Sequence, residues 1–336
     1  MRGLSFVFSV TKITYTGPRT EDGRIISVGK LQEPYGQALI ETSMRVLVCN
    51  DLHLKPAASD YDIDAMAVPD SADAVFIAGD LTHRDGTDDI ALARRFIDQF
   101  DIDVLYVPGN HDHAPMPERV VDGFEHATNG HNVTREYGSC PLVGWGCESR
   151  SLDDALDQAA FSTLDPRTAP RGERRYRADQ TADAIENALH DLVTDQATTH
   201  DIADELGIAD ENIPTFRRSA QTIQETYTHL LDLVGDRSNV ILISHLSPFN
   251  TSFDRHHSTG TREEDREEFH TGSIALKLIT RTHDIYATIS GHSHAFGYDT
   301  GADNITIPHM LNLGYRGLGI VDIDPADGVF SFTDVG

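Results

Sequence analysis

Short apolar runs recur along residues 44–324, and several of them end in Gly, Asp, Asn or His. Near-continuous apolar runs of this length are typical of buried β-strands. We predict strands at 46–51, 74–80, 104–110, 141–146, 239–245, 285–292, 305–314 and 318–324. Helical patterns lie between some of these runs, so the alternation predicts a layered α/β architecture.

The helical segments show the periodicity of amphipathic helices and carry capping residues at their starts. The pattern predicts helices at 88–100, 217–235 and 272–282. Thr87 or Asp88 is the predicted N-cap of the first helix, and Thr271 or Ser273 is that of the last.

Residues 150–235 differ from the rest because they are acidic, helix-like and poor in strand signals. We interpret about 150–213 as a helical insertion that packs on the domain and could cover the site. Within it, residues 200–221 weakly resemble a helix-turn-helix. Acidic residues crowd the supposed recognition segment and Pro214 interrupts it, so a packed helical role is favoured over DNA binding.

The charge of the chain changes the picture of its environment and partners. Among 336 residues the net charge is −27, and only four residues are lysines. Such a surface repels itself at low salt, and molar salt screens that repulsion. We therefore predict a halophilic protein, with an acidic protein of an ordinary cell as the alternative. The chain lacks a diffuse basic patch, with RGERRYR at 171–177 as its one basic cluster, so nucleic acid is disfavoured as a partner.

Cysteine content and hydropathy bear on the compartment. Three cysteines cannot form a disulfide framework, which favours a reducing compartment. No run of 18 apolar residues occurs, so we expect no membrane span and a cytoplasmic location.

The first 43 residues do not share the acidic composition of the rest. They hold four acidic and five basic residues, a net charge of +1, so residues 44–336 carry −28. An apolar strand pattern begins abruptly at Met44. We predict that 1–43 is a disordered extension or follows from a wrongly assigned start, and that 44–336 is the domain. A short β-ribbon at the domain edge is the alternative for 1–43.

Five polar motifs follow the predicted strands, and their residue types suit a metal site. In order they are Asp51-Leu-His53, Gly79-Asp80, Gly109-Asn110-His111-Asp112, Ser244-His245 and Gly291-His292-Ser293-His294. In α/β sheets, ligands bind beyond the carboxyl ends of the strands. Carboxylate and amide oxygens with imidazole nitrogens are donors for divalent ions, and this number of donors suits two ions. No thiolate takes part, which argues against a structural zinc site.

Taken in this order, the motifs resemble those of the calcineurin-like metallophosphoesterases, over roughly residues 44–324 with the insertion between. The resemblance implies a four-layer α/β/β/α sandwich of two mixed sheets. It also implies that Asp51, His53 and His294 hold one divalent ion, that Asn110, His245 and His292 hold a second, and that Asp80 bridges the two. His111 would act outside the metals as a general acid or electrostatic donor.

The resemblance further implies a hydrolase in which a metal-bridging hydroxide attacks a phosphodiester or a small phosphomonoester. We expect Mn²⁺ in both positions, with Fe or Zn as alternatives, and a small phosphorylated substrate. The segments SPFNTSFD and H-x-G-S-x-A favour a branch of predicted phosphoesterases related to cyclic-nucleotide phosphodiesterases. GDLTHRDG and GNHD differ from the motifs of Ser/Thr protein phosphatases. A DNA-repair-type nuclease and a non-catalytic scaffold of the same fold are the alternatives.

Four further polar residues have open roles. Asp112 either orients His111 or caps a turn, and His83 either contacts substrate or lies on a surface loop. His270 precedes a helix start that could meet a phosphate, and His309 could line the pocket.

Overall fold

The computed structural model describes residues 12–13, 43–56, 72–138, 140–146, 174–255, 270–300 and 307–335. Its strands, numbered in chain order, are β1 Lys12–Ile13, β2 Met44–Asn50, β3 Ala74–Ala78, β4 Asp103–Val107, β5 Ala127–Asn129, β6 Val133–Tyr137, β7 Cys140–Trp145, β8 Val240–Ser244, β9 Ile285–Ser290, β10 Phe296–Asp299, β11 His309–Leu313, β12 Gly317–Asp324 and β13 Val329–Asp334. The helices are α1 Thr87–Ile97, α2 Met116–Val121, α3 Arg174–Val193, α4 Thr199–Glu205, α5 Ile213–Val234 and α6 Ile274–Thr282, with a 3₁₀ turn at Asp210–Asn212.

Two mixed sheets form the centre of the domain. The first has the order β1-β13-β12-β2-β3-β4-β5, and its strands β2 to β5 run parallel. The second has the order β10-β11-β9-β8-β7-β6, with β7, β8, β9 and β11 parallel. The carboxyl ends of β2, β3 and β4 in one sheet and of β8 and β9 in the other carry the polar motifs.

Alternation along the strands explains the layers, because successive side chains point to opposite faces of a sheet. In β2, Val46 and Val48 lie in the core cluster between the sheets, together with residues such as Ile241 of β8. Leu47 and Cys49 face the other way and pack with residues of α1 and α2. The second sheet packs its outer face against α3 to α6. The result is the predicted four-layer α/β/β/α sandwich.

The predicted helices are confirmed with changes at their ends. Ser273 caps α6, since its hydroxyl accepts a hydrogen bond from the Leu276 N–H at 3.4 Å. The prediction of Thr87 or Asp88 as the cap of α1 is wrong: Gly86 holds that position in extended backbone, without a side-chain cap. Acidic side chains in the first turn of α1 instead lie where the helix dipole favours negative charge.

Within residues 44–336, the sequence pattern missed four strands, and the strand predicted at 305–314 is shorter than expected. The missed strands β5, β6, β10 and β13 are short or only half-buried, so they lack a continuous apolar run. The run predicted at 305–314 contains β11, His309–Leu313.

The helices after residue 173 form the outer layer of the second sheet. Phe216 and Ala220 are buried in the same cluster as Val240 and Leu242 of β8, as the packed alternative for residues 200–221 requires. Residues 147–173 lie outside the described residues, so the boundaries of the insertion and its possible role as a cap remain predictions.

In the first 43 residues, the described part is limited to Lys12–Ile13 and residue 43. The two-residue strand β1 pairs antiparallel with β13. The predicted nature of 1–43 otherwise lies outside the described residues. No helix within the described ranges is long and apolar enough to cross a membrane.

Candidate metal centre

The candidate residues come together where the strand ends of the two sheets meet. Asp51 directly follows β2 and Asp80 comes two residues after β3, while Asn110 comes three residues after β4. From the second sheet, His245 directly follows β8, and His292 and His294 come after β9. Neighbouring parallel strands place these segments at one edge, as the sequence predicted.

One group of donors consists of Asp51, His53 and His294. Nε2 of His53 lies 3.3 Å from Nε2 of His294, and Nε2 of His294 lies 3.8 Å from Oδ1 of Asp51. Oδ2 of Asp80 is 3.5 Å from Nε2 of His53. Ligand atoms of Asp51, His53 and His294 all lie within 4.8 Å of one another, which is close enough to surround one ion.

A second group consists of Asn110, His245 and His292. Oδ1 of Asn110 lies 2.9 Å from Nε2 of His245 and 3.1 Å from Nδ1 of His292. Oδ1 of Asp80 is 3.6 Å from Nε2 of His245. The two oxygens of Asp80 therefore face different groups, one toward His53 and the other toward His245.

The tautomer of His245 makes the second group suitable for a cation. Nδ1 of His245 lies 3.0 Å from the carbonyl oxygen of Ala78, and a carbonyl only accepts, so this nitrogen donates. Burial lowers the pKa of His245 to about 4, so the ring is neutral and Nε2 presents a lone pair. That lone pair faces the oxygens of Asn110 and Asp80. Nε2 of His245 and the two oxygens that face it are three acceptors directed at one place, which suits a divalent ion.

Burial and charge favour a cation at the first group as well. Burial, together with the neighbouring imidazoles of His111 and His294, lowers the pKa of His53 to about 2, which keeps its ring neutral. Burial and the charge of Asp80 raise the pKa of Asp51 well above its usual value. Oδ2 of Asp51 has no hydrogen-bond partner among the described residues. A divalent ion would offset the cost of ionising these carboxylates.

Asp112 caps the turn that carries the third motif. It is fully buried, and its Oδ2 accepts hydrogen bonds from the backbone N–H groups of Gly109 and Asp80, both at 2.8 Å. Burial and the charge of Asp80 raise the pKa of Asp112 to about 7. Of its two possible roles, the structure assigns the turn. This carboxylate ties the end of β4 to the segment that holds Asp80.

His111 lies beside the two groups rather than inside either one. Its Nδ1 donates to the carbonyl oxygen of His83 at 3.1 Å, and its Nε2 is 3.9 Å from Oδ2 of Asp80. The His111 backbone N–H donates to Oδ1 of Asp80 at 2.8 Å. The ring of His83 stacks on that of His111 with centroids 5.4 Å apart, which places His83 at the site. Nε2 of His111 is thus available to a substrate.

The backbone at the candidate ligands has unusual geometry. Positive φ angles occur at Asp51, His53, Asp80, His292 and His294, with values between 45° and 63°. Residues other than Gly rarely adopt this backbone conformation. Gly79, with a φ of 84°, precedes Asp80, and a Cβ at Gly79 would overlap the His245 ring. These positive φ angles, and the close approach of Gly79 to His245, let side chains from both sheets reach the same space.

The two remaining histidine candidates do not join the site. Nδ1 of His270 bonds to Asp254 at 2.7 Å and its Nε2 accepts from Arg255 at 2.8 Å, within a buried cluster. His309 is paired with Ala287 near the start of β9, whereas the site lies beyond the end of β9. Its ring stacks on Phe330 with centroids 4.9 Å apart. The idea that His309 lines the pocket is therefore wrong.

Asn312 is a site residue that the sequence analysis missed. It is fully buried on β11, and its Nδ2 donates to the Gly291 carbonyl at 2.9 Å and to the Ser293 hydroxyl at 3.1 Å. Its Oδ1 accepts from the Gly314 N–H at 2.8 Å. Asn312 therefore holds the segment that carries His292 and His294. An Asn in an apolar strand gives no signal of this role without the three-dimensional contacts.

Replacing Asn312 with Leu should weaken Mn²⁺ binding by ~10–100-fold, because groups that orient metal ligands contribute about this much. Metal titration measures the affinity, and turnover at saturating Mn²⁺ should recover to within a few fold of the wild type. Asn129→Leu is the control, because it removes a hydrogen bond that Nδ2 of Asn129 donates to Oε1 of Glu118, away from the site. Unchanged metal affinity with only a lower melting temperature would show that Asn312 is merely structural.

Comparisons with known proteins fit this geometry. Residues 44–296 match the family model of the calcineurin-like phosphoesterases. The chain therefore belongs to the calcineurin-like phosphoesterase family and is a metal-dependent hydrolase of phosphoric esters.

Among solved structures, the chain is similar to the phosphopantetheinyl hydrolase from Mycobacterium tuberculosis. The two share 14% sequence identity with a TM-score of 0.46, over 82% of this chain and 91% of that chain. No curated protein sequence matches the chain.

Proposed function

We propose that this protein is a dinuclear metal phosphoesterase that hydrolyses a phosphodiester or a small phosphomonoester. The observation that carries the proposal is the position of Asp80. Its Oδ2 lies 3.5 Å from His53 of one donor group, and its Oδ1 lies 3.6 Å from His245 of the other. A carboxylate placed in this way can join two ions that share a bridging ligand.

The chain's own residues have separate tasks in this proposal. Asp51, His53 and His294 hold one ion, and Asn110, His245 and His292 hold the other. Two bound divalent ions supply an activated water and neutralise charge on the phosphoryl oxygens. His111 presents Nε2 at the edge of the site. With the Nδ1 proton held by the His83 carbonyl, the doubly protonated ring would give its Nε2 proton to the leaving oxygen or donate it in a hydrogen bond to the phosphoryl group. The Nδ1 bond to His83 holds the His111 ring in that orientation.

The charge of the chain supports a small substrate over a polymer. With a net charge of −27, the overall field of the protein repels phosphate groups. Attraction must then come from the metal centre itself, which favours a substrate with one phosphoryl group near it. A long nucleic acid would need many phosphate contacts, and these weaken steeply at high salt.

The test uses the full chain in concentrated KCl. The protein is stripped of metal with a chelator and assayed on bis-p-nitrophenyl phosphate and p-nitrophenyl phosphate, with and without Mn²⁺, Fe²⁺ or Zn²⁺. We expect no turnover without metal, recovery with two bound ions per chain, and Mn²⁺ as the best activator. Metal content is measured on the same samples.

The relative rates on the two substrates assign the class of ester. Faster hydrolysis of the diester would direct the search to phosphodiesters, and faster hydrolysis of the monoester to small phosphomonoesters. Binding of one ion at saturation would contradict the dinuclear proposal. Absence of both binding and turnover would favour the non-catalytic scaffold.

A further inference from the structure

Two exposed aromatic residues lie in the segments next to the metal centre, and one of them, Tyr315, contacts candidate ligands. Among the described residues, the large apolar side chains with high exposure are Phe296 at 55%, Tyr315 at 40% and Val329 at 38%. Phe296 comes two residues after the candidate ligand His294. Tyr315 lies in the turn between β11 and β12. We refer to Phe296 and Tyr315 as the aromatic rim.

Tyr315 contacts the candidate ligands directly. The centroid of its ring lies 5.0 Å from that of His294 and 5.5 Å from that of His53. The backbone N–H of the next residue, Arg316, donates to the carbonyl oxygen of Asp51 at 3.0 Å, which fixes the turn against the site. Tyr315 therefore forms part of the wall between the metal centre and solvent.

Gly314 brings the two parts of the rim together. Its φ is 75°, and a Cβ added there would lie 3.1 Å from Cβ of Phe296. Phe296 in turn pairs with Leu313 across the β10–β11 ladder. Because Gly314 has no side chain, its backbone can lie directly against Phe296. This contact brings the segment of Tyr315 next to that of Phe296.

Phe296 packs edge to face on Phe332 with ring centroids 6.3 Å apart, yet packing within the domain leaves 55% of Phe296 and 40% of Tyr315 exposed. A ring placed there for stability would be buried, as Phe330 is at 2% exposure on β13. Two rings are also too small an area for a stable protein interface, which buries about 800 Å² on each partner. A small molecule held at the metal centre is an occupant of matching size.

The chemistry of the rim defines what it would bind. Aromatic rings attract other planar rings by offset or edge-to-face contact, whereas a short alkyl group gains little there. The guanidinium of Arg316 lies 5.4 Å from the centroid of the Tyr315 ring and adds positive charge at the same place. The rim therefore suits a phosphoester that joins an anionic phosphoryl group to a planar ring.

We propose that the aromatic rim binds a planar aromatic group of the substrate, so that Tyr315 and Phe296 select aryl or nucleoside esters over alkyl esters. The inference rests on the proposed function, since the metal centre holds the phosphoryl group of the same molecule. Tyr315 contributes most, because its ring touches His53 and His294.

Binding of matched ligand pairs tests the inference independently of turnover. Calorimetry on the Mn²⁺-loaded full chain compares phenylphosphonate with methylphosphonate, and adenosine 5′-phosphate with ribose 5-phosphate. We expect the aromatic member of at least one pair to bind about tenfold more tightly, as stacking on an aromatic side chain typically provides. The pair that shows the difference identifies an aryl group or a nucleobase as the preferred ring.

Variants separate the ring from the hydroxyl and from general effects on the fold. Tyr315→Leu should remove most of the preference, measured as the ratio of the two affinities within each pair, while Tyr315→Phe should keep that ratio. Phe296→Ser should reduce the preference by a smaller factor. Val329→Ala is the matched control, because Val329 is also exposed but pairs with Asp324 at the far end of β12.

The outcomes distinguish this inference from the proposed function. Equal affinities within both pairs, or a preference that survives Tyr315→Leu, would overturn the aromatic rim even if the metal-dependent hydrolysis is confirmed. A preference lost in Tyr315→Leu would support the rim even if neither p-nitrophenyl substrate is hydrolysed. Failure of the protein to bind any of the four ligands would also overturn it.

Discussion

Replacing Asp80 with Asn should reduce phosphoester turnover by about 10³-fold or more and reduce the bound Mn²⁺ below two ions per chain. Asp80 directs one oxygen toward each donor group, so the change removes a negative charge from both. Metal ions contribute several kcal/mol of charge stabilisation in the transition state, and each 1.36 kcal/mol corresponds to about a tenfold change in rate. Steady-state kinetics and metal analysis on the same preparation measure the two effects.

The stability of the Asp80→Asn variant separates loss of chemistry from loss of fold. Three buried carboxylates, Asp51, Asp80 and Asp112, lie close together at the site. Burial, followed by the charge of Asp80, raises the pKa of Asp51 and of Asp112. Without metal, the variant should therefore melt at the same temperature as the wild type or higher. Added Mn²⁺ should raise the melting temperature of the wild type more, because ions that bind only the folded state stabilise it.

A matched control for Asp80→Asn is Asp324→Asn. Asp324 is also buried, but its Oδ1 accepts from the Ala326 and Asp327 N–H groups in the β12–β13 turn. This control should keep two ions and turnover close to that of the wild type. An Asp80→Asn protein that retains both ions and full activity would contradict the bridging role.

His111→Ala should lower turnover by ~10²–10³-fold while leaving both metal ions bound, as loss of a general acid typically does. Nε2 of His111 lies 3.9 Å from Oδ2 of Asp80, and the ring lies beside the two donor groups rather than within either one. The loss should be largest for esters with poor leaving groups, because p-nitrophenolate departs without much help from a proton. Rates on a series of aryl esters with leaving groups of different pKa measure this dependence.

The control for His111 is His126→Ala. His126 lies in the loop before β5, and its Nε2 contacts the Ile97 carbonyl at 3.4 Å. Turnover of the His126→Ala variant should stay within about twofold of the wild type. A His111→Ala loss that is equal for all leaving groups would assign His111 to binding of the phosphoryl group. Loss of metal from His111→Ala would instead make it a ligand.

The candidate site was largely predictable because its residues follow strands that could be recognised locally. Apolar runs before Asp51, Asp80 and His245 predict buried strands, and parallel strands bring their carboxyl ends to one edge. The resemblance of these motifs to those of the calcineurin-like metallophosphoesterases then implied two groups of candidate ligands. The structure brings the residues of each group together, and Asp80 lies between them.

Residues that act through distant contacts could not be found in the same way. Asn312 and Tyr315 lie on or beside β11, yet they contact the segment around residues 291–294 and His53. Neither residue has a local pattern that differs from an ordinary strand and turn. The cap of α1 was mispredicted for a related reason, since Gly86 uses backbone conformation rather than a side chain.

The left-handed backbone at Asp51, His53, Asp80, His292 and His294 bears on how such a protein would evolve. Each of these positions costs about 1 kcal/mol or more relative to relaxed backbone, and Gly or Asn would relieve much of it. In the proposed function these positions need Asp and His as metal ligands, so the requirement for catalysis would maintain them. A lineage that no longer needed the reaction would gain folding stability through substitutions to Gly and Asn. Loss of the metal centre would then raise the free energy of unfolding, and its recovery would lower it.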